Sequence, residues 1–164
     1  MILGRGDIAS VLNDREDAIF FASGVGNSQC RDEEEFKRER DLMLRTFVTH
    51  YRSGISLFYF SSISVSFVTT PYTVHKLSME LMVKGIWPDY NIIRLGNISW
   101  GKNPHTFLNA IKRMRAEGRE PEIRDEWKYM INQEQLLLVT DNLPTQGRNK
   151  ISIFGEMRLV KDLI

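Results

Sequence analysis

Short apolar runs alternate with longer charged stretches in which the apolar residues recur at helical spacing, and this alternation divides the chain into strands and helices. "MIL" predicts a minimal strand, "GRGDIASVLND" a glycine turn leading into a short helix, and "DAIFFASG" a second strand that ends in small residues. In "DEEEFKRERDLMLRTFVTHYRSG" the apolar positions Phe36, Met43, Phe47 and Tyr51 keep roughly helical spacing. Acidic residues fill the first turn, Arg52 sits in the last, and Gly54 can end the helix. The acidic start reads as a solvated helix end. Next come the strand "ISLFYFSS", a loop, and a helix opened by Thr70 as N-cap with Pro71 in its first turn and closed by Gly85. "YNIIRLGN" predicts another buried strand. "NPHTFLNAIKRMRAEG" predicts a helix with Asn103 as cap, Pro104 in the first turn and Gly118 at the end. The remainder predicts a strand near Ile123 to Met130, a helix from about Gln133, a turn at Pro144, the strand "KISIFG" and a final helix to Ile164. Strands alternating with helices imply an α/β protein with a mostly parallel sheet covered on both faces.

Composition narrows the functional classes. At 164 residues, 42% hydrophobic and 26% charged, the chain can bury a real core and is neither disordered nor fibrous. Its formal charge of +1 argues against a protein built to grip phosphate backbones, so no nucleic-acid partner is expected. The single Cys30 cannot form an internal disulfide, and no apolar N-terminal run resembles a signal peptide, so the expected location is the cytoplasm. The longest apolar run, Ile55 to Val68, is broken by serines and too short to cross a bilayer, which predicts no membrane partner. His50, His75 and His105 fall on three separate elements with no Cys or carboxylate at ligand spacing, so no metal is expected. Trp87, Trp100 and Trp127 read as core or interface anchors.

Two stretches carry chemistry. The "GRGDIA" of residues 4 to 9 has the form G-x-G-x-x-A after a strand, a context in which backbone N–H groups can approach a pyrophosphate. The acidic residue that a dinucleotide site normally places about twenty residues further on is replaced here by "FASGVGN". The second stretch brings Ser62, Tyr72 and Lys76 in order. Tyr72 and Lys76 are four apart on one helix face, where a cation can bring the phenol toward its working range, and a strand-end serine can hydrogen-bond a carbonyl or alkoxide. The same spacing also arises in helices that only pack.

"FSSISV", "YTVHKLSMEL" and "YNIIRLGNISWG" resemble successive blocks of the extended short-chain dehydrogenases/reductases, the nucleotide-sugar epimerase and dehydratase group. "FFASGVGNS" and "LGRGDIAS" extend the likeness over most of the chain. The resemblance implies one Rossmann-like, three-layer αβα domain over residues 1–164, with residues 1–100 forming the cofactor-binding and catalytic core and 101–164 a reduced substrate side. It implies Ser62, Tyr72 and Lys76 as catalytic residues, with Lys76 also on the nicotinamide ribose of NAD or NADP. Gly4, Gly6, Asp7 and Ile8 would form the pyrophosphate turn, Ala22, Ser23 and Gly24 would line the cofactor, and Ser62 and Asn97 would face a nucleotide sugar. The chain departs from the family pattern between the glycine turn and "AIFFASG", where two strands and their helices are lacking.

The expected function is therefore a minimal NAD(P)-dependent oxidoreductase or epimerase-like protein acting on a nucleotide sugar or a related hydroxyl or carbonyl compound. The competing class is an inactive sugar-nucleotide binding protein on the same fold. A homodimer is also expected, through helices 34–51 and 72–84. Leu42, Leu44 and Val48 on the first and Leu77, Leu81 and Met82 on the second widen their apolar faces, and the resembling family pairs these helices across a two-fold axis.

Overall fold

The computed structural model describes residues 1–121 and 127–163. Five parallel strands form the main sheet in the order β1 (Ile2–Leu3), β2 (Ala18–Phe21), β3 (Ser56–Ser62), β4 (Tyr90–Leu95) and β7 (Arg148–Ile153). Because the strands run the same way, the ends of β1, β2, β3 and β4 open onto one edge, where α/β sheets build their sites. A second sheet of three strands joins β5 (Asn97–Ile98), β6 (Trp127–Ile131) and β8 (Glu156–Leu159).

The central strands are apolar on both faces, as a doubly covered parallel sheet requires. On β3, Leu57 and Tyr59 face one core with Met43 of α1 (Glu33–His50) and Met79, Val83 and Trp87 from α2 (Pro71–Ile86) and its end. Phe58 and Phe60 face the opposite core with Leu12, Ile93 and Leu136, the last from α4 (Gln133–Asn142). The expected α/β class, with helices on both sides of a parallel sheet, is what the chain adopts. The sheet begins at β1, which pairs directly with β2 through Ile2 opposite Phe20, so the segment predicted to be missing is missing.

Several expectations need correction. Residues 7–11 form turns and not a helix; the segment closes a Ser10 N–H to Gly6 carbonyl bond of 3.0 Å and a Val11 N–H to Ile8 carbonyl bond of 3.3 Å and then stops. The helix α3 spans Phe107–Ala116 with Thr106 as its N-cap, and Asn103 and Pro104 lie before it. Its expected cap, Asn103, accepts instead from the His105 N–H at 3.0 Å. The helix α2 runs through Gly85 to Ile86. The segment expected to be a final helix pairs as β8 with β6, Tyr129 opposite Met157, and ends in a 3-10 turn at Val160–Asp162. Of the predicted strand near Ile123 to Met130, residues 122–126 lie outside the described residues and the rest is β6. Trp87 is a core anchor, whereas Trp127 is exposed. Leu42 and Met82 pack against the core, and the exposed apolar positions on the two helices are Leu44, Val48, Val74, Leu77 and Leu81. Among the described residues no helix is long and apolar enough to cross a membrane.

Candidate functional site

The helix that carries the Tyr72 and Lys76 pair is fixed at its start by local chemistry. Thr70 accepts from the Thr73 N–H at 3.2 Å and Thr73 accepts from the Thr70 N–H at 2.8 Å, a reciprocal cap, and Pro71 occupies the first turn, where a missing N–H costs no helical bond. Starting the helix there puts Tyr72 beside the end of β3. Its ring packs with Val25 and Phe36 and is 7% exposed. One turn later, the Lys76 Nζ lies 5.9 Å from the centre of that ring.

The two serines at the end of β3 have different partners. Ser61 turns inward and donates to Glu80 at 2.7 Å, where Arg94 also grips Glu80 through Nε at 2.8 Å and Nη2 at 2.7 Å. Ser62 ends the strand, exchanges a 2.8 Å contact with the Ser64 hydroxyl and accepts from the Ser64 N–H at 3.2 Å. Ser62, Tyr72 and Lys76 line one cleft of about 720 Å³, together with Gly6, Asp7, Ile8, Ala22, Gly24 and Asn97, while Phe107, Ile111 and Met114 of α3 form its far wall. That volume is in the range of small-molecule sites.

Gly4 and Ser23 do not line this cleft. Gly4 has φ +139°, and a Cβ there would lie 2.3 Å from the Ala22 carbonyl oxygen, so the glycine serves the close passage of β1 along the end of β2. Ser23 contributes its carbonyl to Arg38 at 3.2 Å. Asn97 lines the cleft while its amide donates to the Tyr129 carbonyl at 3.1 Å.

The sequence reading missed Glu39. This residue of α1 is fully buried, and its carboxylate is shared by four donors: Lys76 Nζ at 3.1 and 3.4 Å, the Val25 N–H at 2.7 Å, the Tyr59 hydroxyl at 2.8 Å and His75 Nε2 at 3.0 Å. Lys76 is 3% exposed and also reaches the Tyr59 oxygen at 3.3 Å. His75 and Lys76 are adjacent on α2, yet both hold Glu39, because the carboxylate sits deep enough to be reached from either side of the helix. Gly24 belongs to the same cluster: a Cβ there would come within 2.6 Å of Lys76 Nζ and 2.7 Å of a Glu39 oxygen. Burial opposes the charge on Glu39, but Lys76, His75, the Val25 N–H and Tyr59 together hold it well below the usual carboxylate range.

This arrangement changes the electrostatics expected of the trio. Burial raises the Tyr72 phenol above its ordinary value and Glu39 adds to the rise, while Lys76 and the Ser62 hydroxyl pull it down without offsetting the increase. Lys76 is present, as the spacing predicted, but its ammonium group is paired with Glu39.

A dinucleotide fits part of the cleft. Ala22, Gly24, Phe60, Ser62, Tyr72 and Gly96 leave concave space beside the trio, suited to one ring and its ribose. The glycine turn is less suitable. It leads into no helix, so it lacks the row of free N–H groups that favours phosphate at a helix start. Asp7 in that turn is also engaged, its carboxylate accepting from the Lys102 and Asn103 N–H groups at 2.9 Å each. The residues present do not fit a whole dinucleotide. Among the described residues no group of three His, Cys, Asp or Glu could hold a metal ion.

The same architecture recurs in solved structures. UDP-N-acetylglucosamine 4-epimerase from Methanobrevibacter ruminantium M1, in complex with UDP-N-acetylmuramic acid, is 17% identical with a TM-score of 0.67, the match covering 96% of this chain and 61% of that one. A point mutant of UDP-glucuronic acid 4-epimerase from Bacillus cereus, in complex with NAD and a fluorinated UDP-sugar, is 15% identical with a TM-score of 0.67 over 95% of this chain and 59% of that one. The fold is that of the UDP-sugar epimerases. The Bordetella bronchiseptica enzyme WbmG, in complex with NAD and UDP, matches at 12% identity and a TM-score of 0.66, over 89% of this chain and 53% of that one. The epimerase fold is thus present in shortened form, the chain spanning between about half and three fifths of these proteins. No family model matches the sequence, and no curated protein matches it.

Proposed function

We propose that the cleft binds a nucleotide-sugar-like compound and presents a hydroxyl or carbonyl of its sugar to Ser62 and Tyr72, as a reduced oxidoreductase or epimerase-like site. The observation that carries this reading is the convergence of Ser62, Tyr72 and Lys76, from two elements, on one cleft at the carboxyl edge of the parallel sheet. Asn97 lines the same cleft, where it would meet the sugar. Epimerases of this fold, in complex with UDP-sugars or with NAD, make that ligand class and NAD or NADP the first compounds to test. The second reading is a catalytically silent sugar-nucleotide binding protein, and the Lys76 to Glu39 ion pair and the phosphate-poor glycine turn favour it. The reducing cytoplasm suits the unpaired Cys30 in either case.

The deciding experiment is thermal unfolding with millimolar NAD, NADP, UDP-glucose and UDP-N-acetylglucosamine, since a ligand that binds the folded state raises its melting temperature. A rise with a dinucleotide that is lost in Tyr72→Phe supports the oxidoreductase-like reading. A rise with a UDP-sugar alone supports the silent binder. No rise with any of the four overturns both.

We also propose a homodimer through α1 and α2. Val48 is 69% exposed and Leu81 67%, and with Leu44, Val74 and Leu77 they leave the two helices apolar on the side away from the sheet. A two-fold contact would cover both helices of each subunit at once.

A further inference from the structure

The chemistry of a tyrosine facing a ligand depends on whether the ring arrives as phenol or phenolate, and the groups around Tyr72 decide between them. From α2, Lys76 approaches with its Nζ 5.9 Å from the ring centre. From β3 come the Ser62 and Tyr59 hydroxyls, and the loop after β2 and the start of α1 add Val25, Cys30 and Phe36, with no charge among them. From α1, Glu39 meets the same ammonium group at 3.1 and 3.4 Å. Lys76 alone would favour the phenolate. With Glu39 in place that cation is already paired with a carboxylate, and a phenolate on the buried ring would have to compete with Glu39 for the same ammonium group.

The geometry of Glu39 is that of a residue built to stay ionised. It accepts from a backbone N–H, a hydroxyl and an imidazole besides the lysine, and each of these comes from a different position: Val25 beside the cleft, Tyr59 in the middle of β3, His75 on α2. His75 is itself fixed by stacking on Phe36, centres 4.4 Å apart and planes 16° from parallel. The carboxylate therefore ties the loop after β2 to the trio and holds Lys76 on its inner side. A structural staple alone would leave the tyrosine's chemistry untouched; this one takes up the very cation that the tyrosine would use.

We propose that Glu39 is a positioning residue that closes Lys76 into an ion pair behind the site, so that Tyr72 meets a ligand as a neutral hydroxyl, donating a hydrogen bond to a carbonyl or ether oxygen, and not as a phenolate that accepts one. This rests on reading Tyr72 as a contact in the cleft, but its test needs no ligand. A site of this kind can donate to the carbonyl oxygen of an oxidised sugar, which can only accept, and holds no phenolate to take a proton from the corresponding alcohol.

The experiment is a pH titration of the protein carrying tyrosine labelled with carbon-13 at Cζ, followed by NMR, with the Tyr72 signal assigned by its loss in Tyr72→Phe. In the wild-type protein that signal should stay at its neutral position through the ordinary tyrosine value of about 10. In Glu39→Gln the lysine charge is uncovered, and the midpoint should fall by about one pH unit or more. A wild-type midpoint below the ordinary value overturns the proposal, as does a folded Glu39→Gln variant whose Tyr72 midpoint is unchanged or higher. If Glu39→Gln does not fold, Lys76→Gln supplies the reverse test: Tyr72 should titrate higher than in the wild type, and an unchanged or lower midpoint refutes the assignment. Failure of every ligand to bind would sink the functional reading and leave these titrations intact.

Discussion

Glu39→Gln should be the most destabilising single change in the site, and its cost should depend on pH in a defined direction. The substitution preserves shape but removes the charge opposite Lys76, and it replaces one acceptor oxygen with a donor amide among the Val25 N–H, Tyr59 hydroxyl and His75. Because Glu39 is fully buried and Lys76 nearly so, solvent screens little of the loss. Breaking a buried pair by removing one partner costs about 3–5 kcal/mol, which for a chain of this size lowers the melting temperature by roughly 6–20 °C. Glu39 titrates below the unfolded value, so its stabilisation is present above about pH 4.3 and is lost as the pH falls toward the folded value. The wild type should therefore lose about 1.4 kcal/mol per pH unit relative to Glu39→Gln below that point, and the gap between the two should narrow. Urea unfolding of both proteins at pH 7, 5, 4 and 3, followed by circular dichroism, measures this directly. A loss under about 1 kcal/mol at pH 7, or a gap that stays constant down to pH 3, would refute the buried-pair account.

Gly24→Ala should destabilise the protein by about 1–3 kcal/mol, since its Cβ would press on both members of the ion pair; thermal melts would check it, and an unchanged midpoint would mean that Lys76 has room to move away. Sedimentation equilibrium at micromolar concentration should give twice the chain mass for the wild type and the single mass for Val48→Glu with Leu81→Glu, two exposed positions whose charge the folded monomer tolerates. A wild type that stays monomeric on concentrating rules the dimer out.

The main sheet and its two covering helices were legible because their signals agree. The apolar runs of β2, β3 and β4 are long enough to be buried on both faces, and α1 and α2 carry both helical spacing and caps. Where signals were short they misled. "DIASVL" has Ile8, Val11 and Leu12 at helical spacing, yet its residues pack against the core as turns, and Asp7 is drawn to the backbone of residues 102 and 103. "EMRL" is too brief to distinguish a helix from a strand by period, and pairing with β6 decided it. Glu39 was hidden by charge. It stands between Phe36 and Met43 on the buried stripe of α1, three residues after one and four before the other, so its position carried the signal that its chemistry concealed. Its partner gives a second clue, since Lys76 likewise shares the buried face of α2 with Thr73, Met79 and Val83. An acid and a base placed inward on neighbouring helices call for one another.

The cleft's two ends are built on different principles, and this follows from where the sheet stops. Near Tyr72 the walls are set by β3, β4 and α2, whose polar groups are held by buried partners: Glu39 for Lys76, Glu80 for Ser61 and Arg94. With β1 as the outermost strand on the glycine-turn side, nothing among the described residues extends the sheet to support the distal half of a dinucleotide there. The opposite wall comes instead from α3, through Phe107, Ile111 and Met114, and from the segment at 101–103 that Asp7 latches across the turn. Orientation of a ligand must then come from the ordered polar end, while the far wall offers the apolar contact of Phe107, Ile111 and Met114 beside the polar Asn103, His105, Thr106 and Lys128. Such a division suits a sugar held against Ser62 and Tyr72 with a ring lying along α3 better than it suits a pyrophosphate laid over the glycine turn.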